Sequence, residues 1–385
     1  SVSTLGSSVY LIVVVLLLKD LTDSGVLLGL YQFLALLPAA LFMPVAGSLV
    51  DRLSRRGLVI GADLFRGVVM LGLGTIWLLP LRSGAFAIPA LLTASFLIGI
   101  GNALFVPSVQ ALIPELVEER SLERANGLRA TTNQLSNLAG NALGGFLYAL
   151  LAPTLVFIGN GISFLLSAFQ EMAIKVPASP EKPHHQPLTR AFREGISLLF
   201  SDRRLRGLIG SQVGLFLVSP PVLLSLPFLV EDTLGKPDWI VGLLFASMLA
   251  GAVVAFLYLS YRTTGSSLIP WAYALLGLSL LAVPIYTALG TLFLAATVAG
   301  GAAGTVYIEV SATLQRSFSR ELHGRLFAII EAGNAVLAPS AYLASGVLID
   351  LFSPRVDLLY LVPAVPALLW ATRVAAARGE SRDRR

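Results

Sequence analysis

Asp63, Arg66, Glu309 and Glu331 are ionisable side chains inside long apolar stretches of this chain. An ionisable group inside a membrane-length apolar segment is costly and is a functional suspect by default. Burial favours the protonated form of a carboxylate, so such a group can bind and release a proton as its access to water changes. Glu309 lies in the stripe Gly301, Thr305, Glu309, Thr313, whose spacing of four places it on one helix face. Glu331 has Asn334 about one turn beyond it. Asp63 and Arg66 stand at i and i+3 and can pair. All four are candidates for proton coupling. The competing reading is a fixed bridge: Arg316 or Arg325 for the glutamates, and mutual pairing for Asp63 and Arg66.

A second constellation is neutral. Asn126, Arg129, Asn133, Asn137 and Gly140 form one polar face of a helix. Amides in such a place make interhelical hydrogen bonds, or they form a polar wall of a translocation path. In the second case Asn102, Asn133, Gln134, Asn137, Gln212, Thr305, Tyr307 and Asn334 are the candidate cavity residues, beside Ser219-Pro220-Pro221. No constellation suits catalysis. There is no cysteine, and the three histidines include the adjacent His184 and His185 but form no metal-ligand spacing. No phosphate-binding G-x-x-x-x-G-K-[ST] occurs, which argues against direct ATP coupling. The chain reads as a non-enzyme without catalytic residues, metal or cofactor, and its net charge of +5 is no nucleic-acid footprint.

The elements that position these residues are membrane spans. Hydrophobic residues make up 56% of the chain, charged residues only 13%, and the mean hydropathy is +0.80. A soluble domain carries about 25% charged residues, so lipid is the solvent for most of this chain. Apolar runs predict helices at 1–18, 25–49, 57–79, 85–107, 126–150, 154–174, 205–230, 239–260, 267–287, 290–315, 324–348 and 356–372. The first is short for a span and begins abruptly, so the start of that helix is expected to be missing. Of the 27 lysines and arginines, 22 fall on one side of this arrangement. Lys19, Arg82, Lys236 and Arg355 fall on the other, and Arg66 lies within a span. Such asymmetry puts both termini in the cytoplasm. Trp77, Trp239 and Trp370 fall near span ends and read as interfacial anchors.

The expected architecture is an all-α polytopic membrane protein of twelve transmembrane helices in two six-helix bundles. Residues 1–175 form the first bundle and 205–372 the second, with a basic tail at 373–385. The linker at 176–204 is proline-rich at its start. Leu188, Phe192, Ile196, Leu199 and Phe200 then predict an amphipathic helix on the inner membrane surface. A shift of 197 positions lays Gly127 on Gly324, Gln134 on Glu331 and Asn137 on Asn334, a faint internal repeat of a kind known in transporters.

The loop between the second and third spans reads Gly47-Ser48-Leu49-Val50-Asp51-Arg52-Leu53-Ser54-Arg55-Arg56. It resembles the G-x-L-x-D-R-x-G-R-[KR] signature of major facilitator transporters at Gly47, Leu49, Asp51, Arg52, Arg55 and Arg56, with Ser54 at the usual glycine. Pro107-Ser108, Ile113-Pro114-Glu115-Leu116, Ala125-Asn126 and His323-Gly324-Arg325-Leu326-Phe327 resemble the macrolide-efflux and enterobactin-exporter branch. The resemblance implies the major facilitator fold, alternating access and proton-driven export of an amphiphilic or hydrophobic small molecule. The partners are then that substrate, protons and membrane lipids, with no nucleic acid, and the protein is a monomer in the bacterial inner membrane.

It further implies that Gly47, Asp51, Arg52, Arg55 and Arg56 form a conformational latch, with Asp51 facing the helix that begins near Gly324. Gly127, Gly140, Gly144 and Gly145 resemble the antiporter glycine motif of helix five, although Ser136 and Asn141 replace its usual glycine and proline. Helix four departs further: Ser95 stands where relatives carry an arginine four residues before Gly99. That departure leaves open a lipid or lysolipid flippase of the same fold that is not driven by protons.

Overall fold

The computed structural model describes residues 2–79, 86–118, 121–176, 202–262, 267–318 and 320–382. The expected surface helix of the linker lies outside them, as do the side chains of residues 43–48, 51 and 323–325. No strand occurs among the described residues, which form twelve α-helices. They are α1 (Val2–Thr22), α2 (Gly25–Arg52), α3 (Arg55–Leu78), α4 (Ala87–Leu116), α5 (Leu122–Leu150) and α6 (Pro153–Met172). Then follow α7 (Arg203–Phe228), α8 (Trp239–Tyr261), α9 (Ile269–Ile285), α10 (Leu289–Ser317), α11 (Arg320–Phe352) and α12 (Leu361–Arg382). A π-helical turn, Leu229–Thr233, extends α7 after Pro227, and a 3₁₀ turn, Val356–Tyr360, precedes α12.

Ten of the helices are long and apolar enough to cross a membrane. The two others fall short for different reasons. α9 is strongly apolar but has only 17 residues, a rise of about 26 Å. α5 has 29 residues and is too polar, since it carries the asparagine face together with Arg124 and Arg129.

The chain divides into two compact units, Ser1–Asp23 with Leu30–Leu188, and Ser24–Gly29 with Thr189–Arg385. In the first unit α3 packs on α6 and α4, while α1 packs on α5 and α6. Its core centres on Phe157, whose ring meets Trp77 edge-on at 5.3 Å and Tyr10 at 5.7 Å. Trp77 is therefore a core residue and not an interfacial anchor. α5 approaches α1 through glycine. A Cβ on Gly140 would lie 2.6 Å from the Ser8 Cβ, and one on Gly144 would lie 2.7 Å from the Ile12 Cβ. Such contact distances allow the close packing that helices use where lipid gives no hydrophobic drive. Gly127 faces open space.

In the second unit α10 packs on α8 and α9, α12 on α9, and α11 on α7. Trp370 of α12 is likewise a packing residue: it lies against Gly210 and donates from Nε1 to the Ser211 hydroxyl at 3.0 Å. The first turn of α2 groups with this unit. There a Cβ on Gly346 would stand 2.2 Å from the Gly25 carbonyl, and the Asp350 carboxylate accepts from the Ser24 hydroxyl at 3.2 Å and the Val26 amide at 3.1 Å. The negative group thus meets the positive end of the α2 dipole. Val68, Leu155, Phe169, Tyr261, Leu294 and Leu351 are exposed, as expected of a chain whose solvent is lipid.

Candidate functional site

The α2–α3 loop is short because α2 stays helical through Arg52 and α3 begins at Arg55. Ser54, at the position where the signature has glycine, caps α3: its hydroxyl accepts the Gly57 amide at 3.2 Å. The two arginines that open α3 then tie down the ends of two neighbours. Arg55 donates to the Ala111 carbonyl at 3.0 Å and to the Glu115 carboxylate at 2.7 Å, both on α4. Arg56 donates to the Glu171 carbonyl at 3.2 Å and to that of Met172, at the end of α6. Guanidinium groups thus meet the carbonyl-rich ends of α4 and α6, where the helix dipole favours a cation. These contacts give Arg55 and Arg56 specific partners beyond membrane anchoring. Arg52 is exposed, and Asp51 falls in the last turn of α2.

Two turns further along α3 lies a charged group sealed inside the first unit. Asp63 is fully buried and Arg66 nearly so, and the two form an ion pair. Arg66 also donates to the Asn102 side chain at 2.7 Å and the Ala62 carbonyl at 3.4 Å. Its guanidinium lies 4.1 Å from the ring centre of Phe105 and 4.6 Å from that of Phe164, so two aromatic faces stack on the cation. The fit requires Gly101, where a Cβ would lie 2.6 Å from the Arg66 Cγ. Asn102 is thereby a partner of Arg66.

One residue of this cluster was not anticipated from the sequence. Glu171, in the last turn of α6, has its carboxyl group beside that of Asp63 and accepts from Ser167 at 3.3 Å. The available signal was its place inside an apolar run. Nothing in local spacing ties it to a residue more than a hundred positions earlier.

The polar face of α5 is open. Asn126, Gln134 and Asn137 are exposed and Asn133 is half-buried. Asn137 accepts from the Ser8 hydroxyl at 2.9 Å, the one interhelical bond described for this face. Arg129 Nε and Asn141 Oδ1 are buried without partners.

In the second unit, Glu309 of α10 accepts the Leu268 amide at 2.8 Å and the Arg262 guanidinium at 3.3 Å. Its bridge is to the α8–α9 loop, not to Arg316. Thr305 on the same stripe turns its hydroxyl back to the Gly301 carbonyl at 2.8 Å. Tyr307 and Glu331 are exposed, and Asn334 is half-buried. Gln212 of α7 is the outlier: it is 2% exposed, and both polar atoms of its amide lack a hydrogen-bond partner. A buried amide in that condition costs about 1–3 kcal/mol. The structure thus separates Asp63, Arg66, Asn102, Asn133, Gln134 and Asn137, in the first unit, from Gln212, Thr305, Tyr307, Glu309, Glu331 and Asn334, in the second.

Comparison with known proteins agrees with this architecture. Macrolide efflux protein A of Streptococcus pyogenes is 23% identical over 358 residues, covering 91% of this chain and 87% of that protein. The putative bacilysin exporter BacE of Bacillus subtilis is 31% identical over 157 residues, covering 40% of this chain and 38% of that protein. Among solved structures, a D-xylose-proton symporter superposes with a TM-score of 0.73 at 16% identity, covering 96% of this chain and 95% of its own. The nucleoside transporter NupG superposes with a TM-score of 0.72 at 12% identity, covering 97% and 96%. Those two likenesses establish the fold alone, which is that of major facilitator transporters. The model of the transmembrane secretion effector family matches residues 1–346, and the chain belongs to that family of membrane transporters, which are not enzymes.

Proposed function

We infer that the protein exports amphiphilic or hydrophobic small molecules across the bacterial inner membrane in exchange for protons, by alternating access. The observation that carries this reading is the open polar face of α5. The exposed amide of Gln134 and the amide nitrogen of exposed Asn137, in mid-helix, cannot rest against lipid without a cost of several kcal/mol per unsatisfied group. They require water or a polar solute, so α5 walls an aqueous path. The exposed ring of Tyr307 adds an aromatic contact in the second unit, which suits a greasy solute. The names of the relatives, macrolide efflux protein and bacilysin exporter, point the same way. With this reading go a monomer, both termini in the cytoplasm, and an α2–α3 loop that latches the cytoplasmic side through Asp51.

A flippase for lipid or lysolipid is the second reading. Ser95 favours it: the side chain is buried and donates to the Leu92 carbonyl at 2.8 Å, so α4 presents no cation there.

Transport of a dye and of a fluorescent lysolipid by purified protein in liposomes, with and without a pH gradient, separates the readings. Export predicts dye movement that stops when the gradient is collapsed. Lysolipid movement that ignores the gradient, with no dye movement, overturns it.

A further inference from the structure

We propose that Asp63 and Glu171 form a proton-binding pair that holds one proton between two carboxyl groups inside the first unit. The inference rests on the proton-coupled reading above and names the site where the proton is carried.

Two carboxylate oxygens at this site are unmatched. Asp63 gives one oxygen to Arg66 and Glu171 gives one to Ser167. The other oxygen of each is shut off from solvent with no hydrogen-bond partner, and the two carboxyl groups are neighbours. Two ionised carboxylates offer only acceptors and repel at that range. A single proton resolves both defects: one group becomes a donor, the other accepts, and neither oxygen is orphaned. Carboxyl pairs of this kind titrate as one unit.

Charge leads to the same count. Among the described residues Arg66 is the one cation within the cluster, and it neutralises one carboxylate. The second must be neutralised by the proton or remain a buried charge, which costs several kcal/mol. The other charged groups on the elements around it are engaged elsewhere. Arg55 and Glu115 pair with each other, and Arg56 is held on the carbonyls of Glu171 and Met172. On α1, Lys19 pairs with Asp23, and Asp20 accepts from Tyr148. From α4 the cluster receives only neutral Asn102, through Arg66.

The placement provides a route. Glu171 sits in the last turn of α6 and is half-buried, while Asp63 has no exposure. Asp63 lies eight residues into α3, about 12 Å from its start. A proton enters from water at the α6 end onto Glu171 and is then shared with Asp63. Loss of that proton leaves a net negative charge in the bundle, so release is favoured only in a conformation that admits water or a cation.

Infrared difference spectroscopy of the purified full-length chain tests this directly. Wild type shows a protonated-carboxyl band at neutral pH that disappears on titration to alkaline pH. Glu171→Gln and Asp63→Asn each abolish it, whereas Asp232→Asn, on the exposed end of α7, retains it. Absence of the band from wild type overturns the proposal, and so does its persistence in both variants. The wild-type measurement stands even if Asp63→Asn fails to fold. Dye transport separates this inference from its parent. A titrating band in a protein whose transport ignores the pH gradient overturns proton coupling and leaves the pair in place. Gradient-driven transport without the band overturns the pair and leaves coupling.

Discussion

The loop between α2 and α3 and the loop between α8 and α9 occupy corresponding places in the two halves of the chain, and each is stapled by an arginine to a glutamate on the next helix but one. In the first half Arg55 reaches Glu115 of α4 at 2.7 Å, and in the second Arg262 reaches Glu309 of α10 at 3.3 Å. The staples differ in which partner caps a helix. Arg55 serves the end of α4 through the Ala111 carbonyl, so the cation is the capping group. In the second half the carboxylate does the capping, since Glu309 accepts the amide of Leu268, the residue that caps α9. The comparison redefines Glu309. An acidic residue inside an apolar stretch looks like a proton carrier, but its counterpart in the first half is the loop staple Glu115. Among the described residues, two touching carboxyl groups that each bury an unmatched oxygen occur only at Asp63 and Glu171, so our proposal places the machinery for protons in one half.

The largest test of that asymmetry is Arg66→Met. Removing the cation leaves Asp63 buried beside Glu171, and breaking a buried pair in this way costs about 3–5 kcal/mol. Denaturation of the detergent-solubilised protein is expected to show that loss, accompanied by extra proton uptake as the pair compensates. A change below about 1 kcal/mol would mean the cluster is open to water, and the contrast between the halves would collapse.

Glu309→Gln probes the other half. An amide oxygen still accepts one hydrogen bond, but the ionised partner of the partly exposed Arg262 is lost, an effect of about 1 kcal/mol. Stability is therefore expected to fall while dependence of dye transport on the pH gradient survives. Gradient dependence that vanishes with normal stability would return Glu309 to proton coupling and break the comparison.

What the sequence made legible follows from which forces act locally. The twelve helices could be read from apolar runs, α5 included despite its polar face. Helix ends were read less well. α2 continues through Arg52 and α11 extends from Arg320 to Phe352, because backbone hydrogen bonding carries past the apolar run into charged residues. Ion partners were the least legible. Asp63–Arg66 was visible as an i, i+3 spacing. The arginines nearest Glu309 and Glu331 in sequence, Arg316 and Arg325, looked equally good, yet Glu309 pairs with Arg262, 47 positions away. Glu171 was invisible for the same reason. Its meeting with Asp63 depends on how α6 lies along α3, and no local period encodes that. Ser54 looked like a lost glycine in a loop signature and proves to be a helix cap.

A double-mutant cycle on Arg55→Ala and Glu115→Ala, set beside one on Arg262→Ala and Glu309→Ala, sharpens the comparison at lower energy. Both pairs are partly exposed, with side chains 14% and 27% accessible in the first and 20% and 14% in the second. Each coupling is therefore expected at about 1 kcal/mol or less. The Leu268 amide term cancels within its cycle, so the capping difference is read from the single changes: Glu309→Ala is expected to cost more than Glu115→Ala, since it also strips the Leu268 amide of its acceptor. Equal costs for the two single glutamate changes would mean that the capping difference carries no energy.

The smallest effect on stability belongs to Gln212→Leu, and its value lies in the separation of two observables. The amide of Gln212 is buried with neither polar atom bonded, so replacing it with an apolar side chain of similar size removes a desolvated group and no contact. Such a change is expected to be neutral or stabilising by about 1 kcal/mol. If the amide is held for the solute, the same substitution lowers the apparent affinity for a dye with hydrogen-bonding groups and leaves that for a purely apolar dye unchanged. The first half would then carry the proton and the second half a polar contact to the substrate. If both dyes move as in wild type, Gln212 is only an unsatisfied group, and the polar recognition of substrate must be sought on α5, in the same half as the proton.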